Sequence, residues 1–298
     1  MIRSMTGYGR GECLSHDRRF KVEVKSVNHR YGDISIKLPR FLNPFEDAVR
    51  KRLAKDIQRG KADVFIHFET FTERDIRVTV NAAFADAYEH ALRDLSSRYI
   101  LPDGVTLSML AAHPDIINVE KDSMDDATRI ELWDTLSTAL EQALLRFNAM
   151  REAEGGALKR DLLEKREKIR ALLSKIAERA PAVTEEYAAR LRERVAETLA
   201  QVGLAPDEGR LLTEIAVFAD RSCIDEEITR LGSHIGQMGE ILAAEGETVG
   251  RKLDFLVQEL NREANTIGSK SSDAALTKLV VELKSEVEKI REQVQNIE

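Results

Sequence analysis

Phe20-Lys21-Val22-Glu23-Val24-Lys25-Ser26-Val27 alternates apolar and polar side chains, the period of a strand with one buried face. The pattern repeats over 31–38, where Ile34, Ile36 and Leu38 share a face, until Pro39 breaks it. Asn43-Pro44 can open a helix with Pro44 in its first turn, running to about residue 58, and Gly60 ends it. Val64, Ile66 and Phe68 predict a third strand, and Ile76, Val78 and Val80 a fourth. The result is a β-β-α-β-β unit, an antiparallel sheet backed by one helix.

Downstream of Asn81 the period becomes helical. Residues 81–99 and 127–150 read as amphipathic helices. Between them, Pro102, Gly104 and Pro114 predict turns around a short helix at 106–112. Helix formers fill 157–200, and Pro181 is expected to kink or restart that helix, giving a pair of long helices that project from the body. Three further helices are predicted at about 208–244, 250–265 and 273–297. In the last, Leu276, Val280, Leu283, Val287, Ile290, Val294 and Ile297 form a strict heptad seam that a neighbouring helix must cover, from within the chain or from another subunit. The fold class is therefore α+β: an antiparallel-sheet N-terminal domain at 1–155, a helical arm at 156–207 and a helical domain with long helices at 208–298.

Composition narrows the setting. The 298 residues are 43% hydrophobic and 33% charged, enough for real cores under a charged surface. Cys13 and Cys223 have no metal or redox spacing, and a reducing compartment suits them. The opening Met1-Ile2-Arg3-Ser4-Met5 lacks a signal-peptide apolar core and no run is long enough to span a membrane, so a cytoplasmic address is expected. The net charge of −7 is uneven: residues 1–61 hold 15 Lys/Arg against 7 Asp/Glu. Such a basic segment on an acidic protein suits a polyanionic partner, or simply decorates solvated faces.

No P-loop, dinucleotide fingerprint, zinc helix or nucleophile elbow is present. Polar density gathers instead in the last ninety or so residues. Glu227, Arg230 and His234 fall on one helix face, where they could bind phosphate, orient a base or hold a metal, or form an exposed ion-pair row. In 250–271, Leu253, Leu256, Val257, Leu260, Ala264 and Ile267 make a buried stripe. Arg251, Asp254, Gln258, Asn261 and Asn265 flank it on one side, and Lys252, Glu259 and Glu263 on the other. Glu259 and Glu263, one turn apart, can reach a single divalent cation. The amides suggest a hydrogen-bonding task or a polar helix–helix interface. Arg151-Glu152-Ala153-Glu154-Gly155-Gly156 sets two glycines among helix formers, as a hinge, a close backbone approach or, most simply, a helix boundary. Ser26-Val27-Asn28-His29-Arg30-Tyr31, at a turn between strands, offers amide, charge and ring to a nucleic acid, or is an ordinary hairpin turn.

Together with the opening Met1-Ile2-Arg3-Ser4-Met5-Thr6-Gly7 and the closing Arg291-Glu292-Gln293-Val294-Gln295-Asn296-Ile297-Glu298, these stretches resemble the YicC/YloC-like family of bacterial proteins. The resemblance spans the chain and is densest from 210 onward. It implies a homohexameric ring and endoribonuclease activity assisted by Mn²⁺ or Mg²⁺. At Cys223, where some members place an acid, this chain has its acid at Asp225, about 200° away around a helix. On this reading RNA lies against Arg30, Arg40, Arg251, Lys252, Arg262 and Lys270. The cation sits on carboxylates drawn from Glu227, Asp254, Glu259 and Glu263, and His234 acts as general acid or base. The attacking group is water or the RNA 2′-hydroxyl. A non-catalytic RNA-binding adaptor, or a structural coiled-coil scaffold, would use several of the same features.

Overall fold

The computed structural model describes every residue except 1, 30, 58, 73–76, 100–103, 121–124, 202–203 and 245–248. Strands β1 (Gly7–Ser15) and β2 (Arg18–Val27) form a hairpin closed by His16 and Asp17, both at positive φ as a tight two-residue turn requires. β3 (Asp33–Lys37), α1 (Glu46–Leu53) and β4 (Lys61–Thr70) follow, α1 being preceded by a 3-10 turn at Arg40–Phe45. The sheet order is β1-β2-β4-β3. It is antiparallel except at its β3 edge, where β3 runs parallel to β4 because α1 carries the chain back between them.

The alternation that announces the sheet holds: Phe20, Val22, Val24, Ala62, Val64 and Ile66 all point into one core. β1 is a strand that the periodicity does not reveal. Its inward positions are Gly7, Gly9 and Gly11, and the strand lies directly on the long helix α4 (Asp126–Ala200). A methyl at Gly9 would sit 2.1 Å from the Ala143 carbonyl oxygen, and one at Gly11 1.9 Å from that of Ala139. Bare backbone is the only surface that fits there. The strand expected near 76–80 leaves the sheet: β5 (Arg77–Val80) pairs with β6 (Ile117–Glu120), which the turn residues around it had concealed. With α2 (Ala82–Tyr99) and α3 (Leu107–Ala111) they make a side lobe.

α4 is one helix of 75 residues, about 110 Å long at 1.5 Å per residue. It runs unbroken through Pro181, so of the kink or restart expected there the restart does not occur. A proline inside a helix costs about 3 kcal/mol. Ile176 and Val183, buried on either side of it, together contribute roughly that much or more by leaving water. The first third of α4 covers the sheet with Leu136, Leu140, Leu144 and Phe147. Its next part joins α6 (Asp225–Ala243), α7 (Val249–Lys270) and α8 (Ala274–Val294) in a second, all-helical core. The 208–244 segment is two helices, α5 (Glu208–Ser222) and α6, because Cys223 is extended and Ile224 turns inward. All seven seam residues are buried, six on α8 and Ile297 just beyond its end, and α4 and α7 supply the cover of α8 from within the chain. The stripe of α7 is buried likewise.

The two cores meet at a junction built from three of the motifs that carried the family resemblance. Ser4 donates its backbone N–H to the Arg151 carbonyl (3.0 Å), Met5 to Asn296 (2.8 Å) and Glu298 to Arg3 (3.0 Å). Arg151, 1% exposed, reaches the Ser4 carbonyl with Nε (2.6 Å), the Asp56 carbonyl with Nη1 (3.0 Å) and the Glu298 carboxylate with Nη2. Burial, with the neighbouring Arg3 charge, pushes Arg151 down to about 10, still high enough for it to stay charged at neutral pH. Gly155 is no boundary: it lies in mid-helix, and a methyl there would meet the Ile2 carbonyl oxygen at 2.2 Å.

Candidate active site

α6 and α7 pack side by side in opposite directions, and their polar rows face each other as the rungs of a ladder. At one end Lys270 Nζ holds Glu227 Oε1 at 2.8 Å and also donates to the Cys223 carbonyl at 3.0 Å. Next, Arg230 Nη1 lies 3.8 Å from Glu263 Oε1, while its other amine pairs with Glu226. At the far rung His234 meets Glu259 and Glu263, with one donor atom from each within 4.8 Å of the others. The shared face of Glu227, Arg230 and His234 is thus real, and the facing row of α7 completes it.

Burial gives these groups their chemical tension. Glu227 is 6% exposed and Glu263 4%. A carboxylate removed from water costs several kcal/mol unless paired. Glu227 has such a pair in Lys270, whose ammonium is raised above its ordinary value by that hydrogen bond. Among the described residues Glu263 has only the distant Arg230 as an ion-pair partner, and it lies beside a second carboxylate. His234 Nδ1 and Glu227 Oε2 are buried without a hydrogen-bond partner among the described residues. A divalent cation suits the far rung: oxygen donors satisfy Mg²⁺ or Mn²⁺, and an imidazole beside them favours Mn²⁺.

The structure does not bring every expected residue together. Asp254 is exposed, accepts from Gln258 at 3.4 Å and turns toward α8. There Arg291 is raised chiefly by its hydrogen bond to Glu288, with a smaller contribution from Asp254. Glu227 belongs to the Lys270 rung rather than the His234 group. Asn261 and Asn265 bond to each other along α7 at 3.4 Å on its outer side. Of the expected RNA contacts, Arg251 and Lys252 line a cavity of about 380 Å³ beside His234 and Glu259. Arg262 is exposed 3.9 Å from Glu259, and Lys270 is engaged with Glu227. Arg40 is exposed on the sheet domain, away from these helices, and Arg30 lies outside the described residues.

The basic excess of the first 61 residues is answered in part inside the domain. Arg18 pairs with Glu131, Lys21 with Glu69, and Arg52 with Glu141 and Asp56. The cavity also holds three residues that spacing did not single out, Gln237, Ile241 and Phe255. The available signal for Phe255 was an aromatic lying off the buried stripe of its helix.

The chain matches the family described as Endoribonuclease YicC-like, N-terminal region, over residues 2–160, and its C-terminal counterpart over 176–298. It is 40% identical over 298 residues to the protein called probable endoribonuclease YicC of Clostridioides difficile strain 630, covering all of both chains. It is 32% identical over 299 residues to the protein of the same name from Haemophilus influenzae, again over all of both. This chain belongs to the endoribonuclease YicC-like family.

Proposed function

We propose that this protein is an endoribonuclease that cuts RNA phosphodiester bonds with the help of a divalent cation, at the far rung of the α6–α7 ladder. The observation that carries this is one imidazole and two carboxylates, from two helices, with donor atoms within 4.8 Å of each other. The printed names of its relatives agree with RNA as substrate. Glu259 and Glu263 would hold the cation, which when bound would supply positive charge against the negative charge gathering on the scissile phosphate. His234, its Nδ1 without a hydrogen-bond partner among the described residues, moves the proton as general acid or base. Arg251 and Lys252, exposed at the edge of the same cavity, hold the RNA backbone, and such contacts weaken as salt rises. Self-association, as the family's hexamer implies, has support in the side lobe, where Val78, Val80 and Leu107 are 60%, 65% and 82% exposed. Among the described residues no helix is long and apolar enough to cross a membrane, which is compatible with a cytoplasmic site of action.

The test is incubation of purified protein with an end-labelled structured RNA, with EDTA or with Mn²⁺. Cutting that requires Mn²⁺ and vanishes in His234→Ala supports the reading. A 5′-phosphate product assigns water as the nucleophile, and a cyclic phosphate the 2′-hydroxyl. Unchanged Mn²⁺ affinity in His234→Ala places His234 as proton carrier rather than ligand. RNA binding without cutting under any divalent ion replaces the enzyme with a non-catalytic adaptor.

A further inference from the structure

Phe255 is 65% exposed on an otherwise polar helix side, although its neighbour Leu256 is buried in the core. Successive turns of α7 place Arg251, Phe255 and Glu259 in one row, four residues apart. The backbone of Phe255 therefore lies about 6 Å along the axis from that of Glu259, a carboxylate of the proposed cutting centre, and as far from that of Arg251. The same three line the 380 Å³ cavity. Ile241 extends its apolar wall across the gap from α6. Gln237, exposed on α6, makes a single long contact to Ser233 at 3.4 Å, so its amide is available to another partner. Among the described residues neither Arg251 nor Lys252 has an ion-pair partner.

A flat apolar face, an in-plane amide and cations at the rim are the three things a nucleotide asks of a protein: stacking for the base, hydrogen bonds for its edge and charge for its phosphate. A protein helix docking here would meet two cations and two acidic or imidazole groups around a small cavity, a poor match for an apolar ridge. We propose that Phe255 is the platform of a nucleobase subsite, in which the base next to the scissile phosphate stacks on the ring and Gln237 reads its edge. This rests on RNA being the ligand of the α6–α7 face, and it adds a position at which the protein contacts a base rather than the backbone. Because every base has a π-face, the platform selects unstacked, single-stranded nucleotides over paired ones.

The test uses the full chain and a 2′-O-methyl heptanucleotide, which blocks 2′-hydroxyl chemistry. Phe255→Ala and Phe255→Leu should each raise its Kd about 10-fold, the size of one lost base stack. Phe255→Trp should keep the affinity and show fluorescence quenching on binding that the wild type does not. An abasic residue at one position should weaken wild-type binding by a similar factor and add nothing in Phe255→Ala. Wild-type affinity in Phe255→Leu, an abasic penalty that persists undiminished in Phe255→Ala, or no binding by the wild type would overturn the subsite. A changed oligomer mass with unchanged affinity would also overturn it, by assigning Phe255 to contact with a second copy. If the wild type never cuts RNA but the Phe255 effects hold, the cutting reading falls and the subsite stands. If cutting is intact and indifferent to Phe255, only the subsite falls.

Discussion

At the junction of the two cores, Arg151 is buried among the Ser4 and Asp56 carbonyls and the Glu298 carboxylate, while backbone bonds tie Ser4 to α4 and the C-terminal Asn296 and Glu298 to Met5 and Arg3. On the α6–α7 face, Glu263 is buried to nearly the same degree, yet its nearest cation is 3.8 Å away, a second carboxylate stands beside it, and the neighbouring His234 Nδ1 has no partner among the described residues. Both regions place charge out of water. One surrounds that charge with fixed partners, and the other leaves it under-served. Removing one partner from a fully paired buried charge is strongly destabilising, whereas an under-served buried charge already costs stability, so neutralising it should not. On the proposed function the junction is structure, and the far rung of the ladder is chemistry.

The contrast predicts where mutations should register. The largest stability loss should come from Arg151→Ala, which leaves the half-buried Glu298 without its cation and the Ser4 and Asp56 carbonyls without their donor; about 3–5 kcal/mol is expected from urea unfolding. A loss below about 1 kcal/mol would remove the junction from the account. Next comes Gly155→Ala, whose new methyl would have to displace the Ile2 backbone at a cost of about 2–3 kcal/mol. Asp273 is a smaller case in the helical core. Hydrogen bonds from Arg179 and from the Leu276 N–H hold its carboxyl down at about 2. The folded value lies below the unfolded one, so the stability it contributes is complete above about pH 4 and is lost as pH falls toward 2. Asp273→Ala should cost about 1–2 kcal/mol at neutral pH, and its difference from wild type should shrink across that acid window in pH-resolved melts. The smallest effect should have the opposite sign. Gly156 has open space around its Cβ position, so Gly156→Ala should stabilise α4 by about 0.5–1 kcal/mol. Opposite signs at adjacent glycines would sharpen the claim that close backbone approach, and not helix propensity, governs position 155.

What the sequence disclosed follows from how local its signals are. The α7 stripe and the α8 seam were legible because a buried helix face repeats at short intervals, and those residues are the ones buried. β1 was hidden because its inward residues are glycines, which carry no hydropathy signal. Pro181 misled because its local cost is visible in the sequence and the burial that offsets it is not. The meeting of Ser4, Arg151 and Glu298 is a long-range fact with no local trace. In the site, helix periodicity grouped Glu259 with Glu263, and Glu227 with Arg230 and His234. Which row faces which depends on the packing of α6 against α7, and that packing left Asp254 outside and brought in Gln237 and Phe255.

The most direct test of structure at the junction and chemistry at the ladder is one preparation of Glu263→Gln, measured by thermal melt and by single-turnover RNA cleavage in Mn²⁺. The substitution keeps shape and removes a buried charge that sits beside Glu259 and is only weakly countered by Arg230. The account predicts cleavage down by about 100-fold or more, with a melting temperature equal to or above that of the wild type. Cleavage retained at the wild-type rate, or lost only in step with a fall of several degrees in melting temperature, would contradict it and return Glu263 to the structural scaffold.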